Sequence, residues 1–364
     1  MTTSPNGRSG EAQEHECTSW LAMPNLTGGK YMLLHKNRDS KAKQIILNLG
    51  APKGKNSWIA VSSPGLKGVN VGVNTRGLAV AMNSGDLTDG KSYKPGLETV
   101  LIAKNMLENC ADAAEAEAYL HQLFEAKNYH HRERGSIWFM ADAKHAIVAE
   151  NDLRRYAAHE VSGGFAVRAN VWHYPEMIPY TQRTQKQLIE NLWRECCVRD
   201  TIFETGAAYA EPVTVAKFAA ASRQDKIEGM ANVLPVCARR TVCAVTIAID
   251  CEYPEQLTTM YATFGPPQFT AYLPIPTIRR NFAPELLEPT FGDAIFARRD
   301  AGRELLPPDE LTAFEAEMNR RHAKAVEQAR AVLKKGGPIA RAKKFLDAAF
   351  EQNWEALRDL SAGK

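Results

Sequence analysis

The sequence predicts an α+β protein: two antiparallel sheets packed together, helices outside them, and a helical extension at the C terminus. Three observations predict it. Strand-like segments cluster in runs rather than alternating singly with helices, which argues against a doubly wound parallel sheet. Two helical regions separate those runs. The tail from Pro307 to Leu360 is rich in Ala, Glu, Lys and Arg with helical periodicity, and Gly336-Gly337-Pro338 divides it into two helices.

Apolar order begins at Cys17, after a polar stretch (1–16) rich in Ser, Gly and Glu that reads as a leader. Strands are expected at Cys17–Met23, Lys30–His35, Gln44–Leu49 and Ser57–Ser62. Val69–Val73 and Leu78–Ser84 flank Asn74-Thr75-Arg76-Gly77 and read as a hairpin. Glu98–Asn109 places Val100, Leu101, Ala103, Met106 and Leu107 on one helical face, and Asp112 is a plausible cap for a second helix reaching Phe124. Strands return at Ile137–Ala141, Ala146–Glu150 and Gly164–Arg168. Helices follow over Pro179–Thr205 and Val215–Ser222, and two strands, Thr241–Ile249 and Gln256–Phe264, close the main body. The reading divides the chain into a leader (1–16), a main domain (17–300) and a helical extension (301–364) that packs on it.

The chain has 364 residues, 45% hydrophobic and 24% charged, an ordinary globular balance. A formal net charge of +3 offers no reason to expect nucleic acid or an anionic membrane as partner. No run of apolar residues is long enough to span a bilayer, and the first sixteen residues lack the apolar stretch of a secretory signal, so the cytoplasm is the default expectation. Seven cysteines, an odd count without repeated C-x-x-C pairs, suit a reducing compartment and argue against a zinc site. The amphipathic tail helices are expected to serve as packing surface or as a homo-oligomer contact.

Chemistry concentrates at Glu16-Cys17-Thr18-Ser19-Trp20, where the polar leader runs straight into the first strand. If the Glu16–Cys17 bond is cut, Cys17 carries both a thiol and an α-amino group. The α-amine titrates at about 7.7–8.0, so it can act as base toward its own side chain. One residue then supplies nucleophile and base. The plain alternative is a buried structural cysteine behind a polar tail. Lys36-Asn37-Arg38-Asp39 follows the second strand, and Asp39, 22 residues after Cys17, can lie beside it in a hairpin. A carboxylate there can hold the new ammonium or tune its basicity.

Cys17-Thr18-Ser19 followed by Lys36-Asn37-Arg38-Asp39 resembles the Cys-Thr-Thr … Asn-Arg-Asp pattern of the N-terminal-nucleophile (Ntn) hydrolases, in particular the penicillin acyltransferase and choloylglycine hydrolase groups and the related Cys dipeptidases. Gly72-Val73-Asn74-Thr75-Arg76-Gly77-Leu78, running on to Asn83, resembles a hairpin of that superfamily. Arg168-Ala169-Asn170 with His173 nearby resembles its second Asn motif, and Thr241-Val242-Cys243-Ala244-Val245 with Phe264-Gly265-Pro266-Pro267 its closing strand pair. Met140-Ala141-Asp142 with Val148-Ala149-Glu150 is a weaker match to a paired strand. The likeness covers residues 17–275.

The resemblance implies a four-layer αββα sandwich and a self-processing cysteine amidohydrolase or acyltransferase working through a thioester on Cys17, without metal or organic cofactor. It implies that Asp39 orients the α-amine and that Asn83 and Asn170 contribute to the oxyanion hole. Arg240 or its neighbour Arg239 matches an arginine of the site. Lys36 stands near where choloylglycine hydrolases place an active-site Arg; Lys36, Arg38 and Trp172 are expected on the substrate side. The substrate is then a small-molecule amide, with no nucleic acid or membrane involved. The rival reading is a protein that keeps the fold without catalysis and serves as a small-molecule binder or scaffold.

Overall fold

The computed structural model describes residues 16–87, 96–130, 134–203, 211–226, 233–302 and 306–362, so the expected leader lies outside the described residues except for Glu16. The chain opens with strands β1 (Thr18–Ala22), β2 (Tyr31–Asp39), β3 (Ile46–Gly50), β4 (Trp58–Ser62), β5 (Val71–Asn74), β6 (Ala79–Leu87) and the short β7 (Leu97–Glu98). Helices α1 (Thr99–Asn109) and α2 (Ala113–Glu125) follow, and Asp112 caps α2 by accepting from Glu115 N at 2.9 Å. Strands β8 (Tyr129–His130), β9 (Arg134–Ala141), β10 (Ala146–Asn151), β11 (Tyr156–Glu160) and β12 (Phe165–Arg168) lead to α3 (Gln185–Phe203) and α4 (Val215–Ser222). The body ends with β13 (Thr241–Asp250), α5 (Pro254–Leu257), β14 (Thr259–Ala262), β15 (Leu273–Pro276), α6 (Pro284–Leu287) and α7 (Thr290–Asp300). The tail forms α8 (Pro308–Lys334) and α9 (Ile339–Ser361), broken at Gly336-Gly337-Pro338.

Two antiparallel sheets result, in the orders β12-β1-β2-β13-β14-β15 and β11-β10-β9-β6-β5-β4-β3. Strand alternation sends Leu21, Leu34, Val245 and Ile247 of the first sheet against Val61, Val73, Ala81 and Phe139 of the second, forming one central core. The outer face of the second sheet, with Val80, Trp138 and Met140, meets Ile102 and Met106 of α1 and Leu120 of α2. The outer face of the first sheet, with Trp20, Leu33 and Ala248, meets Val198 and Ile202 of α3 and Phe218 of α4. The layering is therefore α, β, β, α. Met318, Phe350, Trp354 and Leu357 of the tail helices enter the central core, so the tail packs on the sandwich.

Three expectations need correction. Helix α3 starts at Gln185, because Pro179 sits in a 3-10 turn over Ile178–Tyr180. The strand expected from Gln256 begins as α5, nucleated by Pro254 at its first position, and extends only from Thr259. The edge strands β11 and β15 were not foreseen. Tyr156–Glu160 ends in polar residues, and Leu273–Pro276 carries prolines at alternate positions, which an edge strand tolerates.

Candidate active site

Cys17 lies one residue before β1, buried, with 6% of its surface exposed. In β1, Ser19 stands opposite Lys36 of β2 on one side and Arg168 of β12 on the other. Carried back, the two ladders lead Cys17 toward Arg38 and Asn170. Both neighbours lie in segments that side-chain bonds hold firmly.

Asn83 on β6 ties the two sheets together. Its Oδ1 accepts from Ser19 Oγ at 2.7 Å and from Lys36 Nζ at 2.8 Å. Its Nδ2 donates to the carbonyls of Arg168 at 3.1 Å and Ala169 at 3.3 Å. Lys36 is 1% exposed, and its Nζ also donates to Met82 O at 2.6 Å. That position makes it an inter-sheet strut. Arg38 donates through Nη2 to Ser63 Oγ at 3.0 Å, while its Nη1 is buried without a hydrogen-bond partner among the described residues.

The segment carrying Asn170 is clamped from three sides. Glu150, fully buried on β10, accepts from Arg168 Nε at 2.9 Å and from the backbone N–H of His173 and Tyr174. Glu195 on α3 accepts from Ala169 N at 2.7 Å and Asn191 from Asn170 N at 2.9 Å. Asn170 Nδ2 donates to Ser84 O at 2.6 Å, and its Oδ1 accepts from Arg194 Nη2 at 3.2 Å.

Arg194 is the hub that sequence reasoning missed. Its Nη1 reaches Cys17 O at 3.4 Å and Thr18 Oγ1 at 3.3 Å, and its Nη2 reaches Glu16 Oε2 at 2.7 Å. Arg183 Nη1 donates to Glu16 Oε1 at 2.8 Å, and Arg134 Nη1 stands 3.9 Å from the same oxygen. Burial works to raise the Glu16 carboxyl, but the charges of Arg194 and Arg183 overcome it and leave it below the ordinary value. Arg134 is lowered, first by burial and then by the charge of Arg183. A signal for Arg194 existed in the sequence. Asn191, Arg194, Glu195 and Val198 share one face of α3, and that largely polar face is buried. Ile189, Leu192 and Trp193 on the other face are 43%, 46% and 39% exposed. Apolar periodicity reads such a helix inside out.

Asp39 sits apart from the Cys17 side of the sheet. It accepts from Thr241 Oγ1 at 2.6 Å, and burial raises its carboxyl to about 7 against the lowering effect of that bond and of Arg194. The charge of Glu16 works in the same direction as burial. Trp172 is 5% exposed and wedged against Gly85 and Gly135, where an added Cβ would meet its ring at 2.3 and 2.2 Å. Arg239 and Arg240 are exposed at the turn into β13, beside a surface cleft of about 290 Å³ that also involves Lys43 and Arg299. Cys243, opposite Arg38 on β13, is pushed by burial up to about 11, so this neighbouring thiol stays protonated near neutrality.

Among the described residues, no group of three or more His, Cys, Asp or Glu side chains is placed to hold a metal ion, and no helix is long and apolar enough to cross a membrane. No protein-family model matches the sequence, and no curated protein does. Solved structures do. The chain is similar to the N-acylethanolamine-hydrolyzing acid amidase ortholog of Caenorhabditis elegans, with 15% identity over 66% of this chain and 98% of that one, at a TM-score of 0.42. It is similar to penicillin V acylase from Agrobacterium tumefaciens, with 13% identity over 69% of this chain and 84% of that one, at 0.42. A mutant of the conjugated bile acid hydrolase from Clostridium perfringens matches with 12% identity over 73% of this chain and 93% of that one, also at 0.42.

Proposed function

We propose that the chain is a self-processing cysteine amidohydrolase whose nucleophile is Cys17, acting on small-molecule amides through a thioester. The observation that carries the reading is the buried junction itself. A free cysteine opens the first strand, its preceding residue is gripped by arginines, and its carbonyl is held by Arg194 Nη1 at 3.4 Å. A structural cysteine requires none of these contacts on its neighbour.

Maturation and catalysis use the same chemistry. In the precursor the Cys17 thiol attacks the Glu16 carbonyl; the N-to-S acyl shift breaks the C–N bond and passes the thiol proton to the freed α-amine, and water then hydrolyses the thioester, restoring the thiol and releasing residues 1–16. In the mature site that amine takes the thiol proton as sulfur attacks the substrate carbonyl. Nearby guanidinium charge favours the neutral, basic form of the amine. The developing oxyanion is assigned to the amide of Asn170 and a backbone N–H. Asn83, with its amide hydrogens on two backbone carbonyls, positions the Asn170 segment. The ammonium returns its proton to the departing amine as the C–N bond breaks. Water then attacks the thioester, releasing the acid and restoring the thiol. An amine in place of water makes the same site an acyltransferase. Asp39, across the sheet and bonded to Thr241, is assigned a tuning of the local charge around the α-amine.

The test is a panel of chromogenic anilides with aliphatic, aromatic and dicarboxylic acyl groups, turned over by wild type, Cys17→Ser and Cys17→Ala. Cys17-dependent turnover of any member is the expected result. Cys17→Ala working as well as wild type would remove the nucleophile assignment.

A further inference from the structure

Glu16 is more than the residue lost in maturation. It is the acyl group on which Cys17 first acts, so its side chain marks where the acyl portion of a substrate lies. We infer that the arginine cluster filled by Glu16 in the precursor becomes, in the mature enzyme, the subsite for a substrate carboxylate. The substrate is then an amide whose acyl group carries a carboxylate three carbons from the scissile carbonyl, as a glutaryl amide does. This inference rests on the amidohydrolase reading above and names the substrate class of that site.

Charge and burial demand a replacement for Glu16. The side chains of Arg183 and Arg194 are each 1% exposed and that of Arg134 is 13% exposed. All three surround one carboxylate. Once residues 1–16 leave, the hydrogen-bond partners left to Arg194 among the described residues are the neutral oxygens of Asn170, Asn191, Thr18 and Cys17, with the largely protonated Asp39 the carboxyl that its charge still reaches. Arg183 keeps Asp86, whose Oδ1 stands 3.8 Å from Nε and whose oxygens already accept from Thr181 Oγ1 and Gln182 N. A buried guanidinium without an anionic partner is expensive, so the emptied pocket favours a new carboxylate.

The cluster also has unused donors. Arg183 Nε and Nη2, Arg194 Nε and Arg134 Nη1 are buried without a hydrogen-bond partner among the described residues. Buried polar groups are normally satisfied, so these spare donors around one carboxylate leave the cluster able to take further anionic or polar oxygens.

Covalent geometry sets the reach. In Glu16 three carbons, Cα, Cβ and Cγ, separate the backbone carbonyl from the side-chain carboxylate. The thioester formed in maturation and the thioester from a glutaryl amide share that skeleton. Hydrolysis then consumes one water: the C–N bond breaks, a C–O bond forms, the amine takes the proton, and glutarate leaves. A neutral acyl chain of the same length leaves the guanidiniums unpaired and is selected against.

The experiment compares the p-nitroanilides of glutaric acid, of its uncharged monoamide and of pentanoic acid. The enzyme is purified from the full reading frame, with leader loss verified by intact mass. Wild type is expected to favour the glutaryl anilide in kcat/KM by about 10²-fold over both neutral anilides, the scale of a lost partner for a buried charge. Arg183→Gln is expected to shrink that ratio at least about tenfold, mainly through KM. If Arg183→Gln does not mature, the wild-type ratio alone decides. Equal rates on the three anilides, or leader loss with no glutaryl turnover, overturn the carboxylate subsite and leave the amidohydrolase reading standing. Neither leader loss nor turnover of any anilide overturns both.

Discussion

Asp39 gives the site a pH signature at the scale of one residue. Its folded value of about 7 lies above the ordinary 3.8, so the folded chain holds a proton that the unfolded chain releases. The contribution to stability is complete below about pH 4 and is lost as pH rises toward 7. Asp39→Asn, made in the full-length Cys17→Ala chain so that Glu16 stays in place, should flatten that loss. Denaturant midpoints of the two chains from pH 4 to pH 8 check it. His35 works in the opposite sense: burial drops it to about 3, so its share of stability is lost as pH falls below 6.5. The difference between the chains therefore carries the test, and identical slopes would refute the raised Asp39. Asn170→Ala should lower turnover by roughly 10²–10³, the usual loss for one oxyanion donor, and, by stripping Ser84 O and Arg194 Nη2 of a buried partner, cost about 1–3 kcal/mol of stability. Unchanged kcat in steady-state assays would remove Asn170 from the site.

At the scale of elements, the strands beside Cys17 were legible and the helix behind them was not. Residues Cys17, Lys36, Arg38, Asn83 and Asn170 occupy strands or strand ends whose apolar alternation and turn residues announce them, and the structure brings them to one region. Arg183 and Arg194 escaped because nothing local distinguishes a buried arginine from a solvated one. Helix α3 turns Asn191, Arg194 and Glu195 inward and leaves Leu192 and Trp193 exposed, against the rule that sequence periodicity relies on. Their partners, Glu16, Ala169 and Asn170, are distant in sequence, so no short spacing encodes the network. Gly85 and Gly135 tell a similar story, since their role appears only once the Trp172 ring lies across them. Gly135→Ala places a Cβ 2.2 Å from that ring and should lower stability by about 1–3 kcal/mol. Thermal melts check it, and an unchanged melting temperature would contradict the wedge.

At the scale of the molecule, the four layers follow from runs of strands separated by helices, and the two-helix tail from its composition and the Gly-Gly-Pro break. The depth to which the tail enters the core was not legible. Trp354, 2% exposed, meets Phe291 edge-on with ring centroids 5.0 Å apart. Trp354→Ala should cost about 3–5 kcal/mol, which denaturant titration reads directly. A loss below about 1 kcal/mol would mean that the tail contributes little to the sandwich. A site built on a rigid double sheet suits the proposed action of Cys17 on its own chain. Cys17, Glu16 and the arginines are already assembled before any substrate arrives. The most direct measurement is the intact mass, with N-terminal sequencing, of wild type and Cys17→Ala expressed from the full reading frame. The account predicts that wild type begins Cys17-Thr18-Ser19-Trp20 and that Cys17→Ala retains residues 1–16. Wild type and variant both keeping those residues would contradict it.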